Sequence, residues 1–104
     1  MIVIKTLPGV PYYEGTKSLD GVPYRFRIKW ATSSETWYMH MTSLVDSNVT
    51  LRGIALLPGK DLFARYGYSH LLGNLWVVDR SGANENPDYY EMGVRWELRY
   101  FPRG

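Results

Sequence analysis

Residues 24 to 41, YRFRIKWATSSETWYMHM, alternate in two-residue steps, and that period constrains the fold more than any other feature of the chain. In an extended strand successive side chains leave opposite faces. Arg25, Arg27 and Lys29 therefore share one face, and Tyr24, Phe26, Ile28 and Trp30 share the other. After ATSSE a second alternating run covers Thr36 to Thr42. If the two runs form a hairpin, their apolar rows must fall on the same side. Setting Trp30 opposite Trp37 brings Ile28 to Met39 and Phe26 to Met41, and leaves Lys29 beside Tyr38 and Arg27 beside His40. Burying each large apolar side chain contributes about 1.5–3 kcal/mol, whereas an exposed cation gains little from its neighbours. The apolar row is predicted to face inward and the basic row outward.

The rest of the chain reads the same way. A first strand spans Ile2 to Leu7 and ends at LPGVP, where Pro8 and Pro11 deny donors to a sheet. A second covers Tyr13 to Leu19, and Asp20-Gly21 supplies a two-residue hairpin turn into the strand Tyr24 to Trp30. VDSN turns the chain into a strand from Val49 to Leu57, whose apolar phase shifts from Val49 and Leu51 to Ile54 and Leu56, with a bulge predicted at Gly53. Pro58 to Asn74 lacks alternation, and DLFARY within it suits one helical turn capped by Asp61. Leu75 to Val78 is apolar throughout, which predicts a strand covered on both sides, either centrally or by a neighbouring subunit. Asp79 to Asp88 is a long polar loop. In the last strand, Val94 to Phe101, the residues Val94, Trp96, Leu98 and Tyr100 point inward, and Arg95, Glu97 and Arg99 outward. About seven strands predict an all-β, small single-domain antiparallel β barrel or sandwich over residues 1–104.

A chain of 104 residues supports one core and no second domain. Its 12 Lys and Arg against 10 Asp and Glu leave a charge of only +2, which argues against a dedicated nucleic-acid binder. Cysteine is absent, so disulfides and thiolate metal sites are excluded and stability must come from packing, as suits assembly in a reducing cytoplasm. MIVIKTLPG reaches Lys5 and Pro8 too soon for a signal-peptide core or a membrane span, and no membrane association is expected. The two histidines, His40 and His70, lie far apart without thiols, so no metal site is expected of them. The 79–88 loop offers oxygen donors at Asp79, Asn84, Glu85, Asn86 and Asp88, but in no EF-hand spacing. No GxSxG turn or other catalytic motif is present. A Ser-His-Asp arrangement could still assemble from distant positions, but no motif singles out a catalytic residue or a cofactor.

Binding remains. Arg25, Arg27, Lys29, Arg95 and Arg99 could share one curved face, with Tyr38 available for stacking as in single-strand binders. Phe26, Trp30, Trp37 and Trp96, however, alternate away from those cations, which ranks a nucleic-acid-binding small β barrel as the alternative and a protein interface first. Interfaces favour Tyr and Arg, and nine tyrosines, including PYY and DYY, exceed what one small interior needs. The expected partner-binding set is Arg25, Arg27, Lys29, Tyr38, Arg95 and Arg99. A carbohydrate-binding module would need an exposed ring, for which Trp76 is the candidate.

The order YRFRIKW, TWYMHM, GIALLPGKDLFARYGY, LWVVDRSGANENPDYYEMG and VRWELRYF resembles the small plug protein of bacteriophage tail baseplates, a family described from a contractile-tailed cyanophage. The resemblance runs from about residue 13 to 101. It implies a structural component of the virion, assembled in the host cytoplasm, and not an enzyme. It further implies a plug on the tail axis that contacts hub, tube and spike proteins and helps to close the lumen before contraction. Threefold or sixfold arrangement of copies in the particle is the accompanying expectation. No catalytic residues come with the family.

Overall fold

The computed structural model describes residues 1–7, 9–46, 48–67 and 72–102. Along the chain these form β1 (Ile2–Ile4), β2 (Tyr12–Leu19), β3 (Val22–Ala31), β4 (Thr36–Ser43), β5 (Thr50–Ala55), α1 (Leu62–Arg65), β6 (Asn74–Asp79) and β7 (Trp96–Phe101). The strands build two antiparallel sheets, β2-β3-β4-β5 and β1-β7-β6. Phe26, Ile28, Met39 and Met41 of the first sheet meet Leu75, Val77, Leu98 and Tyr100 of the second in one buried cluster. The architecture is thus a sandwich and not a closed barrel, each sheet burying one face and keeping the alternate residues outside.

The β3–β4 register follows the apolar rows: Trp30 pairs with Trp37, Ile28 with Met39 and Phe26 with Met41, while Lys29 pairs with Tyr38 and Arg27 with His40. The turn between β2 and β3 needs two left-handed residues, and Asp20 adopts φ 54°. On β5 the pairs Met39–Ile54 and Met41–Leu51 leave Arg52 and Gly53 together opposite His40, which is the expected bulge. Gly53 supplies φ 65° there, and the extra residue switches the buried phase from Leu51 to Ile54. Asp61 caps α1 by accepting from the Phe63 amide at 3.1 Å.

Three local expectations are corrected, and a fourth, the inward-facing Trp30, holds with only partial burial. β1 ends at Ile4 rather than Leu7. The apolar run Leu75–Val78 is not central, because β6 is an edge strand. It alternates like the others, with Leu75 and Val77 buried and Trp76 and Val78 half-buried on the outer face. Val94, expected inward, is 58% exposed, since β7 begins only at Trp96 and the preceding residues form a turn in which the Val94 amide bonds the Glu91 carbonyl. Trp30 is half-buried at one end of the sandwich, where it packs against Trp37 and Tyr89. No helix among the described residues is long and apolar enough to cross a membrane.

The two flanks of the sandwich differ. Between β5 and β6, α1 buries Leu62 and Phe63, Pro58 bridges Val77, and the Asp61 carboxylate also takes the Leu75 amide at 3.0 Å. On the other flank, β1 and β2 are the outermost strands of their sheets. Just before β7, Gly93 packs so closely that a Cβ there would lie 2.5 Å from the Thr6 carbonyl oxygen, and its φ is 93°.

Candidate partner-binding face

Because Phe26, Ile28, Met39 and Met41 turn inward, the outer face of the four-stranded sheet carries the intervening residues. Arg25, Arg27 and Lys29 of β3 are exposed there, with Tyr38, His40 and Thr42 half-buried beside them on β4. Tyr12 and Glu14 join from β2, opposite Lys29 and Arg27. The Tyr12 hydroxyl donates to Glu14 Oε1 at 2.6 Å, and Arg27 Nε lies 3.5 Å from the same oxygen. Both partners of that ion pair are about half exposed, so it fixes little and leaves Arg27 able to change partners. Arg25 and Lys29 make no ion pair among the described residues.

Arg27, His40, Thr42, Thr50 and Arg52 line a shallow hollow of about 390 Å³ on this face. The bulge builds it: doubling β5 opposite His40 brings Arg52 alongside the imidazole, and the Gly53 amide donates to His40 Nδ1 at 3.1 Å. Partial burial, followed by the charges of Arg27, Arg52 and Lys29, pushes the His40 pKa below its ordinary 6.5. The hollow thus holds two guanidinium groups and a neutral imidazole, a chemistry that suits a carboxylate from a partner. Arg52 was not among the expected residues. Its signal was the phase shift at Gly53, which marks where β5 pushes an extra side chain outward.

Arg95 and Arg99 stand elsewhere. Trp96, Leu98 and Tyr100 face the core from β7, so Arg99 belongs to the outer face of the other sheet, across the sandwich from Arg25 and Arg27. Arg99 Nη2 pairs with Glu97 Oε1 at 2.9 Å. Arg95 is structural: its Nε and Nη2 reach the two Asp79 carboxylate oxygens at 2.9 Å each, and Nη2 reaches Glu85 at 2.7 Å. Its guanidinium also lies over the Trp96 ring at 4.3 Å. The six expected residues therefore do not share one face: Arg25, Arg27, Lys29 and Tyr38 lie outside the four-stranded sheet, Arg99 outside the three-stranded one, and Arg95, just before β7, is turned to the buried Asp79.

The same ion pair organises the 79–88 loop. The Asp79 side chain is only 1% exposed, and it accepts from the Ser81 amide and hydroxyl and from the Glu85 amide as well as from Arg95. Arg95 before all else holds this carboxyl well below the usual carboxylate range. Guanidinium and amide donors occupy the oxygens that a cation would need. Among the described residues no group of three or more His, Cys, Asp or Glu is placed to hold a metal. His70 lies outside the described residues.

Residues 1–103 match the protein family described as cyanophage baseplate Pam3 plug gp18. The chain belongs to this baseplate plug family. No curated protein matches it. The match spans both sheets, so the whole sandwich is the plug-family unit. Membership carries a structural role in the tail baseplate of a virion, with other baseplate proteins as neighbours.

Proposed function

We propose that this chain sits on the tail axis as a plug, contacting hub, tube and spike subunits and helping to close the lumen before contraction. The family match over residues 1–103 carries this reading. The sandwich supports it, since paired strands and a packed interior resist deformation and nothing in the site geometry suggests bond chemistry. Arg25, Arg27, Lys29 and Tyr38 meet an acidic surface of a neighbouring subunit, with a carboxylate seated in the hollow between Arg27 and Arg52. Arg99 and Arg95, already ion-paired, contribute less to binding. Copies arranged with threefold or sixfold symmetry around the axis fit such a position, with assembly in the host cytoplasm.

The test is charge reversal on the basic face. Arg25→Glu with Arg27→Glu is expected to weaken association with the hub and lower incorporation into particles, while the melting temperature stays close to wild type. Particles assembled in normal yield by that variant would remove the basic face from the interface. Titration with single-stranded DNA at two salt concentrations tests the nucleic-acid alternative, because phosphate contacts give steeply salt-dependent binding. The reading predicts no such binding: Trp37 and Trp96 are buried, so the rings best able to stack on bases point away from the cations.

A further inference from the structure

On the flank where β1 and β2 are outermost, the sandwich is open. The core-facing row of β2 is Tyr13, Gly15, Lys17 and Leu19, opposite Ile28, Phe26, Tyr24 and Val22. A glycine and an exposed lysine stand where an apolar pair would normally close the core. β1, only three residues long, does not reach over them. What results is a groove of about 320 Å³ with Phe26 and Ile28 as its floor and Ile4 and Leu7 on the far wall. A Cβ placed on Gly15 would meet nothing within 4 Å, so a notch stands empty beside Phe26. Val3, also on this groove, is 41% exposed.

Along the same side, β2 has no neighbouring strand among the described residues. Trp30 N–H donates to the Pro11 carbonyl at 2.8 Å, which makes that couple hydrogen-bonded. In an antiparallel ladder such couples recur at every second position. Tyr13–Ile28, Gly15–Phe26, Lys17–Tyr24 and Leu19–Val22 are therefore bonded pairs. Tyr12, Glu14, Thr16 and Ser18 turn their N–H and C=O groups away from β3, toward the flank where no strand lies beside them. Pro23, which lacks an N–H, sits opposite Ser18 as this phase requires. Tyr13 lines the groove, and its hydroxyl is buried without a hydrogen-bond partner.

We infer that an extended segment of another baseplate protein adds as a strand along β2, an inference that deepens the plug reading and rests on it. Its main chain pairs with Glu14 and Thr16, one apolar side chain fills the notch at Gly15, and a carboxylate sits between Lys5 and Lys17. Strand addition of this kind draws affinity from backbone bonds and specificity from alternate side chains. The charge follows from the groove itself. Lys5 and Lys17 line it, whereas Glu14, the carboxylate among its described lining residues, is engaged on the outer face by Tyr12 and Arg27.

Thr16→Pro tests the inference, because it deletes an N–H aimed at the open flank and none that holds β2 to β3. Thr16→Val is the control that keeps the N–H. Binding of each full-length chain to baseplates reconstituted from the hub, tube and spike proteins of the same tail is measured by co-sedimentation, with hydrogen exchange at Thr16. The expected result is a loss of about tenfold in affinity for Thr16→Pro, near wild-type binding for Thr16→Val, and a Thr16 amide that slows on assembly. Wild-type binding by Thr16→Pro with a fast Thr16 amide overturns the inference. Failure of the wild-type chain to bind any baseplate would instead strike at the plug reading itself. A wild-type dimer that Thr16→Pro dissolves would make the occupant a second copy and overturn it too. If Thr16→Pro does not fold, Gly15→Trp, which fills the notch from within, takes its place with the same outcomes.

Discussion

The Trp37 indole N–H donates to the Asp88 carbonyl at 2.8 Å, joining positions 51 residues apart in the chain. The ring of Tyr89, the next residue, then stacks on that indole at 5.9 Å with 4° between the planes. One side chain of β4 thereby fastens the end of the long polar loop to the four-stranded sheet.

Trp37→Ala is expected to cost about 3–5 kcal/mol in urea denaturation, as for a buried aromatic truncated to a cavity. Trp30→Ala should cost less, because its ring is half-buried and packs only at the rim of the cluster. Equal losses at the two positions would mean that half-buried Trp30 contributes as much as the fully buried ring beside it.

Alkaline pH should unfold the protein through its tyrosines. Burial pushes the Tyr13 phenol up to about 12, and burial together with the bond to Asp20 pushes Tyr100 up to about 12. For groups whose folded pKa is raised, the stabilisation is complete below the unfolded value of 10.0 and is lost as pH rises through the folded one. Melting temperature should hold to about pH 10 and then fall. The Tyr100 hydroxyl donates to Asp20 Oδ2 at 2.5 Å, so Asp20→Asn should bring one phenol's titration to lower pH. Ultraviolet difference titration reads this directly, and an unchanged curve would detach Asp20 from Tyr100.

His40 gives the opposite dependence on the acid side. Its folded pKa is lowered, so its contribution is complete above the ordinary 6.5 and is lost as pH falls through the folded value. Protonation also removes the acceptor for the Gly53 amide. Chemical shifts at Gly53 should follow the His40 titration, and His40→Gln should flatten the acid limb of the stability profile. A His40 imidazole titrating at or above 6.5 by NMR would contradict the crowding of Arg27 and Arg52 around it.

The Asp79–Arg95 pair should show a characteristic order of stabilities. Arg95→Leu strands an enclosed carboxylate, and it should melt lowest. Asp79→Leu combined with Arg95→Leu should melt higher than Arg95→Leu alone, since no buried charge is left without its partner. Acidification should partly rescue the single variant by neutralising Asp79. If the double variant melts below both singles, the pair itself is a net source of stability.

Much of this architecture could be read from residue spacing. The β3–β4 register followed from alternation alone because a one-residue slip would have put Phe26 and Ile28 in water. The Gly53 bulge was legible as a break in phase, and the Asp61 cap as a side chain placed to meet a free amide. What escaped was information held between sheets. Nothing local in VRWELRY says that β7 lies across the core from β3, so Arg95 and Arg99 could be counted with Arg25 and Arg27. The all-apolar LWVV hid an edge strand, since half-buried Trp76 and Val78 look the same in sequence as fully buried ones. The hollow at His40 and the open flank at Gly15 likewise depend on which strands become neighbours.

The close fit of Gly93 against Thr6 bears on how such chains diverge. The obstructing atom is main-chain oxygen, so no rotamer change relieves a larger residue there, and the segment that follows β1 would have to be rerouted. A relative that has replaced this glycine should therefore also show an altered path or length ahead of its β2, and the two changes should travel together from one phage lineage to the next.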